Sequence, residues 1–257
     1  MDVTSDRTLD DGVRERRFTL TAAGDPDGAP DGAPGILWTS GPGPLVLLGH
    51  PGGLDRMYPR LLDRARDALA AGFTAATLEL PGCGDRPRAP DAEAARADLR
   101  RAILAGEKVL DETVDRLVLP LVDAAVPEHR AALDVLLTLP GLHGPVGLAG
   151  GNIAIGVRMA VVEPRLAAAV LFAGSRIPRR ALAEARTVAV PVHVLLQWDD
   201  EDNDRQEALD LFDALGSAEK TLHATTGGHT GVPRFAGRAA NDFLARHLIR
   251  ASVGRAR

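Results

Sequence analysis

Pro145-Val146-Gly147-Leu148-Ala149-Gly150-Gly151-Asn152-Ile153-Ala154 is the stretch on which the reading of this chain turns. A short apolar run leads into a glycine-flanked turn and then into a segment rich in Ala, Val and Met. That succession predicts a buried strand, a sharp turn and a packed helix. Similar runs recur on both sides of it. Pro44-Leu45-Val46-Leu47-Leu48-Gly49 is continuously apolar and ends in His50-Pro51-Gly52-Gly53, as expected of a strand buried on both faces. Phe73-Thr74-Ala75-Ala76-Thr77-Leu78-Glu79-Leu80 follows a helical stretch from Tyr58 to Ala71 and closes on Pro81-Gly82-Cys83-Gly84.

The pattern continues at Val146 to Ala149, Ala167 to Ala173 and Val190 to Leu196, with helical segments between. Alternating strands and helices of this kind predict an α/β fold with a mostly parallel sheet flanked by helices. Arg17 to Thr21 and Gly35 to Thr39 precede the pattern and suggest an antiparallel edge, joined through a Gly/Pro/Asp loop from Asp25 to Pro34. About sixty residues separate Gly84 from Val146, more than a simple crossover needs. Apolar residues at helical spacing from Ala92 to Ala105 and from Glu107 to Val122 assign 89–126 to a helical cap, with Pro127 to Leu137 as the crossover helix itself.

Composition bounds the rest. A chain of 257 residues with 45% hydrophobic content sustains a single α/β domain, 1–257, with the cap as an insertion within it. Thirty basic against 35 acidic residues give a net charge of −5 with no basic stripe, so nucleic acid is not an expected partner. Cys83 is the only cysteine, and Met1-Asp2-Val3-Thr4-Ser5-Asp6-Arg7 lacks the pattern of a secretory leader. A cytoplasmic location is expected. No apolar run approaches the roughly 20 residues that span a bilayer, so no membrane partner is expected either.

The order of these motifs resembles the α/β-hydrolase family from Pro44 to Leu248. His50-Pro51-Gly52-Gly53 resembles its oxyanion loop, and Leu80-Pro81-Gly82-Cys83-Gly84-Asp85-Arg86-Pro87 its fourth-strand turn. Gln197-Trp198-Asp199-Asp200 resembles the acid-bearing turn, and Gly227-Gly228-His229 the loop that presents the catalytic histidine. The segment from Pro145 to Ala154 then falls where the family carries Gly-x-Ser-x-Gly, with the cap between the fourth-strand turn and this elbow strand. Matched without a gap, Asn152 takes the serine's place. Matching backward from Glu163-Pro164 puts Gly150 there instead, and a Gly-x-Ala-x-Gly reading chooses Ala149. All three lack a nucleophile. An elbow residue sits at positive φ, which Asn tolerates better than other non-glycine residues.

The resemblance implies His229 as a base oriented by Asp200, although Asp199, Glu201 and Asp202 make a solvated acidic turn the competing reading of that segment. Pro51 has no N–H, but the amides of Gly52, Gly53 and Ile153 are expected to hold an oxyanion, with Asn152 adding an amide. His50 is expected beside them, fixing its own loop. Ser175, after the strand ending at Ala173-Gly174, and Cys83 are the residues that could replace the missing nucleophile. His129, His143, His193, His223 and His247 show no ligand spacing, so neither metal nor cofactor is expected.

Three functions fit these residues. The first is non-hydrolytic proton transfer on a carbonyl-containing small molecule, as in a lyase, dehydratase, isomerase or cyclase. The second is hydrolysis of an ester or lactone by activated water or by another nucleophile such as Ser175. The third is small-molecule binding without catalysis.

Overall fold

The computed structural model describes residues 1–21, 32–201 and 203–254. Most of the loop expected from Asp25 to Pro34, and Asp202 of the acidic turn, lie outside these residues. Ala33 and Pro34 already belong to a strand.

Three strands open the chain: β1 (Asp2–Thr8), β2 (Arg14–Leu20) and β3 (Ala33–Thr39), paired antiparallel in sequence order. They join β4 (Gly43–Gly49), β5 (Thr74–Leu78), β6 (Leu142–Gly150), β7 (Leu166–Phe172), β8 (Val192–Gln197) and β9 (Lys220–Thr225) in one sheet of order β1-β2-β3-β5-β4-β6-β7-β8-β9. From β5 to β9 every pairing is parallel. β1 and β9 have no counterpart in the sequence reading. β1 is almost wholly exposed and β9 only half-buried, so neither carries the apolar run that marks a central strand.

The helices form a layer on each face. On one side α1 (Leu54–Ala70) and α7 (Arg234–Gly254) bury Leu61, Ala65, Ala68, Phe243, Leu244 and Leu248 against Val46, Ala75 and Val170. On the other, α3 (Asp111–Leu136), α4 (Ile153–Val162), α5 (Arg179–Ala185) and α6 (Arg205–Ala214) pack on Leu45, Leu47, Leu148, Leu171 and Val194. Alternate residues of a strand point to opposite faces, which is why these central strands are apolar at every position.

The interval before β6 departs from its expected division. After α2 (Pro90–Leu104), α3 runs unbroken through both Pro120 and Pro127. The sequence reading instead begins a separate crossover helix at Pro127. Val114, Val118, Val122, Val126, Leu133 and Leu136 form one buried stripe whose period passes both prolines without a phase change, and its burial outweighs the hydrogen bonds they remove. At 26 residues α3 is about 39 Å long, whereas the nine residues of β6 span about 30 Å. Leu104 and Leu110, apolar residues of the expected cap, are 87% and 60% exposed. Only Ala95 of α2 is buried.

Candidate active site

The expected base, acid and oxyanion residues and Ser175 follow the C-terminal ends of parallel strands: His50, Gly52 and Gly53 after β4, Asn152 and Ile153 after β6, Ser175 after β7, Asp200 after β8 and His229 after β9, whereas Ala149 and Gly150 lie within the end of β6. Ligands of open α/β sheets bind in that crevice.

The loop after β4 and the turn after β6 touch backbone to backbone. A Cβ on Gly151 would lie 2.8 Å from the Gly49 Cα and 3.2 Å from the His50 nitrogen, and one on Gly49 would lie 2.8 Å from the Gly151 Cα. Only paired glycines permit that approach. The positive φ of the turn falls on Gly150 at 71° and Gly151 at 86°, and no described non-glycine residue has a positive φ. Asn152 does not take the strained conformation expected of it. Its φ is −69°, and its side-chain oxygen accepts from the Ala154 amide at 3.0 Å, capping α4. The glycines absorb the sharp turn, so residue 152 is left to begin the helix.

His50 is buried, and its Nε2 lies 2.7 Å from the Leu78 carbonyl oxygen. Burial holds its pKa below the ordinary histidine value, so the ring is neutral and anchors its loop to β5. Glu79 braces the same loop from the end of β5: both carboxylate oxygens accept from the Leu54 amide at 3.0 Å, the first of α1, while burial pushes its pKa up. Between loop and elbow lies a cavity of about 10 Å³ bordered by His50, His129, Gly150 and Asn152, room for one water. Arg64 of α1 ties the two strand ends together, donating to the Gly49 carbonyl at 2.7 Å and the Ala149 carbonyl at 2.6 Å. Burial lowers its pKa to about 10.

The acid and the histidine meet across β8 and β9. Asp200 Oδ2 is 2.9 Å from His229 Nδ1, with the carboxylate side chain 3% exposed and the imidazole 32% exposed. Asn203 Nδ2 donates to the same Oδ2 at 2.9 Å and stands 3.2 Å from Nδ1. With the proton on Nδ1 donated to Asp200, Nε2 keeps its lone pair, the tautomer a general base requires. Gln197 Nε2 holds the Gly228 carbonyl at 3.2 Å, and Arg60 reaches the Thr230 carbonyl at 3.2 Å, fixing the loop on either side of His229. The Phe172 ring meets the imidazole edge to face at 5.9 Å between centroids. Ser175 lies nearby in sequence, with its hydroxyl 3.5 Å from the Ile153 amide.

Asn203, Arg64, Gln197 and Phe172 are the site's supporting residues that sequence reasoning did not single out. Arg64 left a trace, since it is a basic residue beside the apolar stripe of Leu61, Ala65 and Ala68. Asn203 is masked in sequence by the acids around it. No described helix is long and apolar enough to cross a membrane.

Neither a family model nor a curated protein sequence matches this chain. Solved structures do. A cold-adapted esterase from an Arctic intertidal metagenomic library, in its PEG-bound complex, is 26% identical with a TM-score of 0.73, covering 96% of this chain and 100% of the esterase. A Pyrococcus furiosus esterase is 11% identical with a TM-score of 0.63, over 96% of this chain and 93% of its own. A dienelactone hydrolase from Anabaena variabilis is 18% identical with a TM-score of 0.59, over 91% of this chain and 99% of its own. The last two likenesses concern the fold alone. The fold is that of the α/β-hydrolases: a mostly parallel sheet between helical layers, shared with esterases and dienelactone hydrolases.

Proposed function

We propose that this protein hydrolyses esters or lactones of small carboxylic acids, with His229 as general base and Asp200 as the group that orients it. The observation that carries this reading is the 2.9 Å contact between a nearly buried Asp200 and His229 Nδ1, which leaves Nε2 free to take a proton. The full-length likeness to an esterase at 26% identity supports it. Non-hydrolytic proton transfer would employ the same pair, but none of the neighbouring structures reported above points to it.

In this reading the substrate carbonyl lies at the N-terminus of α4, where the Ile153 amide and the amides of Gly52 and Gly53 receive the developing oxyanion. Asn152 keeps its side-chain oxygen on Ala154, and its amide group supplies a further donor in this reading. The positive end of the α4 dipole adds to these donors.

The test is a panel of p-nitrophenyl esters and γ- and δ-lactones assayed for acid release. His229→Ala should lower kcat/KM about 10²–10⁴-fold while leaving the far-ultraviolet spectrum unchanged. A folded protein that releases no acid from any of them, or that is indifferent to His229→Ala, would overturn the assignment.

A further inference from the structure

We propose that Ser175 is the nucleophile of this site, delivered from the end of β7 to the place that an elbow side chain fills when the elbow itself carries the attacking oxygen. The inference rests on the hydrolytic reading above and names the acyl acceptor that it leaves open.

A nucleophile on this fold is defined by location: it stands beside the helix N-terminus whose amide receives the oxyanion, in reach of the base. Residue 152 does not supply one. Its backbone has left the positive-φ conformation to the two preceding glycines, and its oxygen is bonded to Ala154. The hydroxyl found against the first amide of α4 is that of Ser175, 3.5 Å from the Ile153 nitrogen.

A second observation ties Ser175 to the base. A Cβ on Gly174 would fall 2.1 Å from Phe172 Cε1, so the Phe172 ring lies folded across the backbone next to Ser175. The same ring meets His229 edge to face. The ring that covers the residue before Ser175 thus also meets the base, and proton transfer requires the Ser175 hydroxyl and His229 Nε2 to come into contact in the substrate complex, where catalytic hydrogen bonds commonly tighten. The α4 N-terminus places partial positive charge at the Oγ and favours its alkoxide character.

The steps balance. His229 Nε2 takes the Ser175 proton as Oγ bonds to the carbonyl carbon, and the Ile153 amide holds the oxyanion. The ester C–O bond then breaks, and the leaving alkoxide takes the proton from His229. A water gives its proton to His229 and attacks the acyl carbon; Ser175 Oγ departs, recovers that proton, and the carboxylic acid is released.

The experiment treats the full-length protein with a fluorophosphonate and follows it by intact mass and peptide mapping, alongside the ester assay. One adduct is expected, on Ser175, absent from both Ser175→Ala and His229→Ala. Ser175→Ala should lower kcat at least about 10³-fold with the fold intact by circular dichroism. Ser175→Cys should move labelling to iodoacetamide at that position and restore burst release of p-nitrophenol. Hydrolysis that survives Ser175→Ala, or hydrolysis without an adduct at Ser175, overturns the nucleophile while leaving the hydrolase reading in place. An adduct at Ser175 without turnover of any ester or lactone supports the nucleophile and removes the proposed substrate class. A folded protein with neither adduct nor turnover overturns both.

Discussion

Gly151→Ala tests the architecture on which the site depends, because the loop after β4 and the elbow are kept in register by backbone contact. The new Cβ would stand 2.8 Å from the Gly49 Cα, 3.1 Å from the Gly49 carbonyl carbon and 3.2 Å from the His50 nitrogen. All three are backbone atoms of a strand end buried in the sheet, so no flexible side chain can yield. Two costs add. A φ of 86° disfavours an L side chain by about 1–2 kcal/mol, and overpacking against fixed backbone costs about 1–3 kcal/mol. The expected loss of about 2–5 kcal/mol is a large part of the roughly 5–15 kcal/mol that holds an ordinary domain together. If the protein folds, β4 must retreat from the elbow, and a displacement approaching 1 Å lowers turnover by about 10²-fold. Urea denaturation and ester hydrolysis measure the two effects. Gly237→Ala in α7 serves as control: a Cβ there meets nothing within 4 Å, and relief of glycine's helix penalty should stabilise by about 0.5–1 kcal/mol. If Gly151→Ala stays within about 0.5 kcal/mol of the parent with unchanged turnover, the two loops are not held by that contact.

Two further outcomes follow from charges. Burial lowers the pKa of His193 to about 4, so between the ordinary histidine value of 6.5 and that point the unfolded chain binds more protons than the folded one. Stability is complete above pH 6.5 and falls with pH, by about 2 kcal/mol at pH 5 from this residue. His193→Gln should remove that share of the difference between urea midpoints at pH 7 and pH 5, and an unchanged difference would refute it. Asn203→Asp places a second carboxylate 2.9 Å from Asp200 Oδ2 and beside His229 Nδ1, which favours the imidazolium. The acid limb of kcat/KM should therefore move to higher pH. A limb that does not move would mean that Asn203 does not share the electrostatics of the base.

The central strands were legible because burial on both faces leaves an unbroken apolar run, and Val46, Leu78, Leu148, Leu171 and Val194 do lie on neighbouring parallel strands. β1 and β9 were not, since an edge strand is specified by its neighbour's hydrogen bonds more than by its own side chains. α3 was divided too early because the burial of one stripe along a helix 26 residues long is not visible in sequence. The site divides along the same line. Asp200 and His229 could be named because glycine and acid patterns mark their loops, and the structure brings them to 2.9 Å. Asn203 and Arg64 could not, because their roles are fixed by distances across the fold. The elbow is the sharpest case. Asn152, Gly150 and Ala149 are the three residues the sequence offers for the elbow position, and the gap-free match favours Asn152, which tolerates positive φ better than other non-glycine residues. Backbone physics favours the opposite assignment: where two glycines precede it, the strain goes to the residues without a Cβ, and the asparagine does what asparagine does best at the start of a helix. Once residue 152 is committed to capping α4, the oxygen at the helix's first amide has to come from another strand, and Ser175 is where the chain supplies one.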